Sequence, residues 1–220
     1  MIKLYKYFLI LFTIAVSTHS FAQNDTMLIR QSFNDLKMAL LESDASKVIG
    51  LIDKNTFAFY SKMLLKAKTY DSVQVENLFF FEKLLIFTIR LKDEKDNIRT
   101  MNDSSFFQYA IKNKMMEQIS GIVGGSILTS VNIYGDSAMG QLMLDTTFIS
   151  LKVNLPYQVK FRLENKQWKV DIAAFFPVLN LAFKQMVFNS KKTDTEFLVS
   201  IIKSGSILKD ERILWKPLNK

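Results

Sequence analysis

Between positions 25 and 43 the apolar residues Ile29, Phe33, Leu36 and Leu40 recur at helical spacing, with Arg30, Asn34, Asp35 and Lys37 between them. This predicts an amphipathic helix of about five turns. Ser43-Asp44 offers an N-cap for a short second helix carrying Val48, Leu51 and Ile52. Asn55 does the same for a third with Phe57, Tyr60 and Leu64. The stretch from Glu76 to Leu91 is denser: only Glu82, Lys83, Thr88 and Arg90 interrupt Leu78, Phe79, Phe80, Phe81, Leu84, Leu85, Ile86, Phe87 and Ile89. A helix apolar on nearly every side is a central core helix or the wall of an apolar pocket, and packing is the commoner use. Asp103 then caps a helix through Phe107, Ala110, Ile111 and Met115.

After Gly121 the period changes to two. Ile127, Thr129, Val131 and Ile133 fall on one face of a strand, Gly135-Asp136 makes a turn, and Ala138, Gly140, Leu142 and Leu144 share one face of the next. Alternation resumes at Leu151, Val153 and Leu155 and continues through Tyr157, Val159, Phe161 and Leu163. A two-residue loop at Asn165-Lys166 then sets Leu163 opposite Trp168, Phe161 opposite Val170, and Lys160 opposite Asp171 on the outer side. Trp168 shares its face with Val170 and Ile172. Pro177 suits the first turn of a helix striped by Leu179, Ala182, Phe183 and Met186, and Thr193-x-x-Glu196 is a capping box for another, closed by Gly205. The tail from Ile207, with Trp215 and Pro217, has no regular pattern.

Helices followed by consecutive antiparallel strands predict an α+β layer fold: N-terminal helices in the concavity of a curved antiparallel sheet of about four strands, with a C-terminal helical appendage. The organisation expected is a leader over 1–22, a cone-like domain over 23–174, and a helical extension over 175–220 packed on it.

The leader changes the setting. Lys3 and Lys6 precede an apolar run from Tyr7 to Val16, and Ser20-Phe21-Ala22 places small residues at the minus-three and minus-one positions of a signal-peptidase site. Cleavage after Ala22 makes Gln23 the first mature residue. The apolar run falls short of the roughly 20 residues of a spanning helix, and with no cysteine in the chain there is no thiol for a lipid anchor. The expectation is a periplasmic or secreted protein, not lipid-anchored, with no integral membrane segment after cleavage.

Losing Lys3 and Lys6 leaves 27 basic against 21 acidic residues, a formal charge of +6 in place of +8. The excess is mostly scattered lysine, which argues against a nucleic-acid partner. The only histidine, His19, lies in the leader. A mature chain without imidazole or thiol has no Ser-His-Asp or Cys-His nucleophile and no histidine or thiolate metal site. No cofactor or metal is expected, and any chemistry falls to carboxylates, Lys, Tyr or Ser.

The run Phe33 to Asp53, with Leu41-Glu42-Ser43-Asp44-Ala45 and Val48-Ile49-Gly50-Leu51-Ile52, resembles the opening of exported members of the nuclear-transport-factor-2-like superfamily. So does the hairpin from Val159 to Asp171. The resemblance covers Asp25 to about Ile172 and implies a cone of curved sheet around helices, often enclosing an apolar cavity. The superfamily includes small-pocket isomerases and dehydratases with an Asp or His base beside Tyr or Asp donors, and many members without chemistry. This sequence departs from the pattern between Tyr70 and Gln118 and after Phe175. Without His, the candidates for such chemistry are Asp171, Asp71, Tyr60, Tyr109 and Tyr157.

For a cavity, the candidate ligand contacts are Tyr60, Phe80, Tyr109 and Trp168; Trp168 also suits the core, and Asp171 a surface ion pair with Lys160. The leading reading is a non-catalytic exported domain that binds an apolar small molecule or an envelope protein. An interaction module that uses the C-terminal helices on a membrane surface or protein partner comes next, then an isomerase-like or hydrolase-like enzyme with an Asp or Tyr base.

Overall fold

The computed structural model of the protein describes residues 24–144, 157–205 and 210–219. The leader with its Ala22/Gln23 junction and the alternation Leu151, Val153, Leu155 lie outside them. Helix α1 covers residues 24–41, followed by α2 (Ala45–Leu51), opened by Asp44, and α3 (Lys54–Thr69). The cap of α3 is Asp53 and not Asn55: its Oδ1 accepts from the amide and the hydroxyl of Thr56, both at 2.9 Å. A carboxylate three residues before a threonine satisfies two donors at once.

The dense stretch from Glu76 to Leu91 is not one continuous helix, because a short helix ends at Glu76 and the next begins only at Phe80. Asp71 and Gln74 form a capping box for α4 (Ser72–Glu76), and Phe79 is extended, so α5 begins at Phe80 and runs to Asp96. As its composition predicts, α5 is buried on nearly every side, and even Lys83 and Arg90 are inside. Its main neighbours are helices: α3, and further on α8, α9 and α10. Nearer the sheet lie α1, whose Phe33 meets Phe161 edge-on with ring centres 6.4 Å apart, and the end of α2, where Ile52 bridges to Val170.

Asn102, not Asp103, caps α6 (Asp103–Lys112), because its side chain accepts from Ser105 N. A further helix, α7 (Glu117–Gly124), precedes the sheet. Its glycines, Gly121 and Gly124, weaken the helical pattern that would announce it.

Strands β1 (Ser126–Tyr134), β2 (Ser137–Leu144), β3 (Tyr157–Glu164) and β4 (Gln167–Asp171) form one antiparallel sheet in sequence order. The pairings Leu163 with Trp168, Phe161 with Val170 and Lys160 with Asp171 are those expected of a two-residue loop. In β1 the shared face is different. The register slips between Leu128 and Ser130, so Leu128 is buried and Ile127 is exposed, while Val131 and Ile133 stay partly buried. A bulge inserts one residue and inverts the phase on one side of it. Arg30 of α1 holds it, donating to the carbonyls of Leu128 at 2.5 Å and Thr129 at 2.9 Å.

Beyond β4 a 3₁₀ turn (Ile172–Phe175) leads into α8 (Phe176–Ser190), then α9 (Asp194–Gly205). Leu179, Phe183, Val187, Leu198 and Ile202 join the same hydrophobic cluster as Phe33 and Phe87. The described part of the tail, residues 210–219, has structure where regular pattern was lacking: α10 (Arg212–Trp215) buries Leu214, and Leu218 N and Asn219 N donate to the carbonyls of Ala67 and Lys68 at the end of α3.

Candidate functional site

The residues singled out as ligand contacts do not gather at one place. Tyr60 is buried mid-way along α3 among Phe59, Phe107 and Phe176. Its hydroxyl has no hydrogen-bond partner among the described residues, and burial drives its pKa well above the usual phenol range. Phe80 stacks on Phe183, ring centres 4.8 Å apart, so the dense helix is filled by its own neighbours there. Tyr109, on α6, is half-buried against the core. Tyr157 opens β3 facing inward, and burial raises its hydroxyl too. Asp71 is exposed and spent on the capping box of α4.

Trp168 is different. It is buried, its Nε1 donates to Asp25 Oδ1 at 3.2 Å, and it forms part of the wall of a groove of about 770 Å³. One wall is the α1 stripe Leu28, Ser32, Asp35, Met38 and Ala39; the other is Gly50 and Leu51 of α2 with the β3–β4 turn from Lys166 to Lys169. The helical period puts Leu28, Asp35 and Met38 within an arc of about 80°, so the side of α1 opposite to Phe33 faces the groove. Apolar surface lines its floor and charges its rim. Lys47 is engaged by Glu42 and Asp44 at 3.4 Å each, and Lys169 donates to Gly50 O, which ties the β3–β4 turn to α2 within the second wall.

A second, polar cleft of about 530 Å³ lies where the end of the sheet meets the start of α3, lined by Asn55, Met139, Gln158, Lys160, Asp171 and Pro177 among others. Asp171 is not the surface ion-pair partner its alternation suggests. The strand ends there, the chain turns into the 3₁₀ segment, and the residue is only 7% exposed while its Oδ1 accepts from Ala174 N at 3.3 Å. Burial first, then the neighbouring Asp53 carboxylate, raise its pKa above 3.8; bonds from Ala174 and Asn55 and the charge of Lys160 oppose this. Asp53 itself is 1% exposed: one oxygen caps α3, and the other, without a hydrogen bond, lies 3.5 Å from Arg162 Nε. Thr56 links the two elements, since its hydroxyl donates to Asp53 and accepts from Ile172 N at 2.9 Å.

Of the residues named from the sequence, Trp168 lines the groove and Asp171 pairs with Lys160 in register, while Asp53, Asn55 and the α1–α2 walls were not named as site residues. The Asp53-x-x-Thr56 cap was the available signal for the first. Asp171 and Asp71 sit at opposite ends of α3, about 24 Å apart by helix rise, so the candidate acids do not act together. Among the described residues no group of three or more His, Asp or Glu side chains is placed to hold a metal ion.

No family model, curated protein or solved structure matches the chain.

Proposed function

We propose that this is an exported, non-catalytic binding domain that holds an apolar small molecule in the groove between α1, α2 and the β3–β4 turn. The observation that carries the reading is the exposure of Met38 (53%) and Leu28 (38%), which line, together with Trp168, an open groove of about 770 Å³. A groove of that size with an apolar floor and a polar rim suits a small ligand. Export rests on the Lys3/Lys6 start, the Tyr7–Val16 run and the Ser20-Phe21-Ala22 junction. The resemblance to the nuclear-transport-factor-2-like superfamily is consistent with the reading, since many of its members bind without chemistry.

Native mass spectrometry of the protein purified from its own host tests both parts. The expected spectrum starts at Gln23 and carries a small-molecule adduct. Gly50→Phe is the control: Gly50 lines the groove, and a Cβ there meets nothing within 4 Å, so a larger side chain has open space to start into. It is expected to abolish the adduct. A chain retaining residues 1–22, or an adduct that survives Gly50→Phe, contradicts the corresponding half of the proposal.

A second reading is favoured by one observation, the carboxyl of Asp171 held above its ordinary pKa in the same cleft as Lys160. That is the environment of an acid–base residue. A carboxyl-carbon NMR titration that places Asp171 at the ordinary carboxylate value removes this reading.

A further inference from the structure

The run Ile172–Ser190 is the one helical stretch among the described residues long and apolar enough, by length and composition, to cross a membrane, yet only 41% of it is buried in the protein. It does not leave the fold. Leu179, Phe183 and Val187 are in the core, and Asn180 Oδ1 accepts from Phe81 N at 2.9 Å. The opposite face is uncovered. Leu181 is 51% exposed and Phe188 79%, the latter the most exposed large apolar side chain among the described residues. Seven residues apart, they point the same way, with the exposed Pro177, Lys184 and Gln185 within the same arc of about 100°.

We propose that this outward face of α8 docks on an anionic lipid bilayer surface, with Leu181 and Phe188 entering the interface and Lys184 reaching the headgroups. The face is a convex helix surface with two large side chains and a lysine between them, the pattern of an interfacial helix and not of a groove that receives a peptide. Lys191 and Lys192, both exposed, close the helix at the Phe188 end. The nearby acids are largely engaged: Glu196 is held by Thr193, and Glu76 by Thr195 and Lys83, leaving Asp194. With the mature chain at a formal charge of +6, the local and the overall balance both favour an anionic surface. The inference is independent of what the groove holds.

Co-sedimentation of the full-length mature protein tests it, with vesicles of phosphatidylcholine alone and of phosphatidylcholine with an equal part of phosphatidylglycerol. The protein is expected to pellet with the anionic vesicles and to be released by salt. Phe188→Ser removes an exposed side chain, so folding is retained, and it is expected to weaken partitioning about tenfold or more. Lys184→Gln and Lys191→Gln are each expected to cost about fivefold. Equal binding to neutral vesicles, or Phe188→Ser binding like the parent, overturns the proposal. So does light scattering that shows a dimer dissolved by Phe188→Ser, because a second copy then covers this face.

Discussion

Arg90, inside α5, donates Nη1 to the carbonyl oxygen of Leu214, 124 residues further along the chain, at 2.9 Å. The same guanidinium donates Nε to Ala67 O at 3.1 Å and Nη2 to Tyr70 O, so a wholly buried cation caps the carbonyl ends of both α3 and α10. Carbonyls at a helix C-terminus carry partial negative charge, which compensates the guanidinium where no carboxylate is bound to it. Burial lowers its pKa to about 10, leaving it charged at neutral pH.

Arg90→Met keeps the bulk but leaves the Tyr70 and Leu214 carbonyls without this donor. At about 1–3 kcal/mol for each of these two orphaned groups, the loss expected is about 2–6 kcal/mol. Ala67 O is spared, since Leu218 N also donates to it. Arg90→Lys recovers little, because one ammonium cannot reproduce a fork spanning three acceptors. Urea denaturation gives the stability, and limited proteolysis is expected to cut the tail of Arg90→Met first. A tail as protected as the parent's contradicts the assignment.

The β3–β4 turn holds a stabilising substitution. Asn165 and Lys166 have φ of 51° and 64°, the paired left-handed geometry of a tight hairpin loop, for which Asn-Gly is the favoured sequence. Relief of the left-handed penalty at Lys166, about 1–2 kcal/mol, outweighs the entropy that glycine adds to the unfolded chain, about 0.4–1 kcal/mol. Lys166→Gly is therefore expected to stabilise by about 0.5–1 kcal/mol and to raise the melting temperature by a few degrees. A lowered melting temperature contradicts it.

How far these features were legible follows from how local they are. The β3–β4 hairpin and its register could be read because period-two alternation and an Asn-led loop lie within Tyr157–Asp171. α5 could be read because its composition allows no exposed face. The bulge at Leu128 could not, since it is defined by the partner strand and by Arg30, 98 residues away from Leu128. Docking of the tail depends on acceptors at Ala67 and Lys68, which no pattern near Leu218 announces. Of the groove, Trp168 was visible as an aromatic on a packed face, whereas Met38, Gly50 and Leu51 become a wall only when α1 and α2 close against the turn.

Gly140 sits where three side chains converge. A Cβ there meets Leu128 Cδ1 at 2.4 Å, Val159 Cγ1 at 2.9 Å and Phe161 Cε2 at 3.0 Å. Gly140→Ala is expected to destabilise by about 1–3 kcal/mol by overpacking. Leu128→Ala removes the nearest obstacle, so the double variant is expected to lose less than the sum of the two single losses. Strict additivity in chemical denaturation means that Leu128 is not the obstruction.

Asp171 gives the protein a pH dependence whose sign is fixed by its neighbours. Burial and Asp53 raise its folded pKa above the 3.8 of the unfolded chain, while Lys160 and bonds from Ala174 and Asn55 only partly offset them. Between 3.8 and the raised value the native state therefore binds more protons than the unfolded state, and this residue's contribution to stability falls as pH rises through that window. Asp171→Asn has no proton to lose there and still caps the 3₁₀ turn, since asparagine caps about as well as aspartate. It is expected to melt above the parent at pH 7, with the advantage shrinking towards pH 4. Asp53→Asn is the contrasting variant: it discards the ion pair with Arg162 while relieving Asp171, so its effect at pH 7 is expected to be the smaller gain or a loss. Thermal melts from pH 4 to 7 decide the matter, and an Asp171→Asn difference that stays constant across that range contradicts the electrostatic assignment.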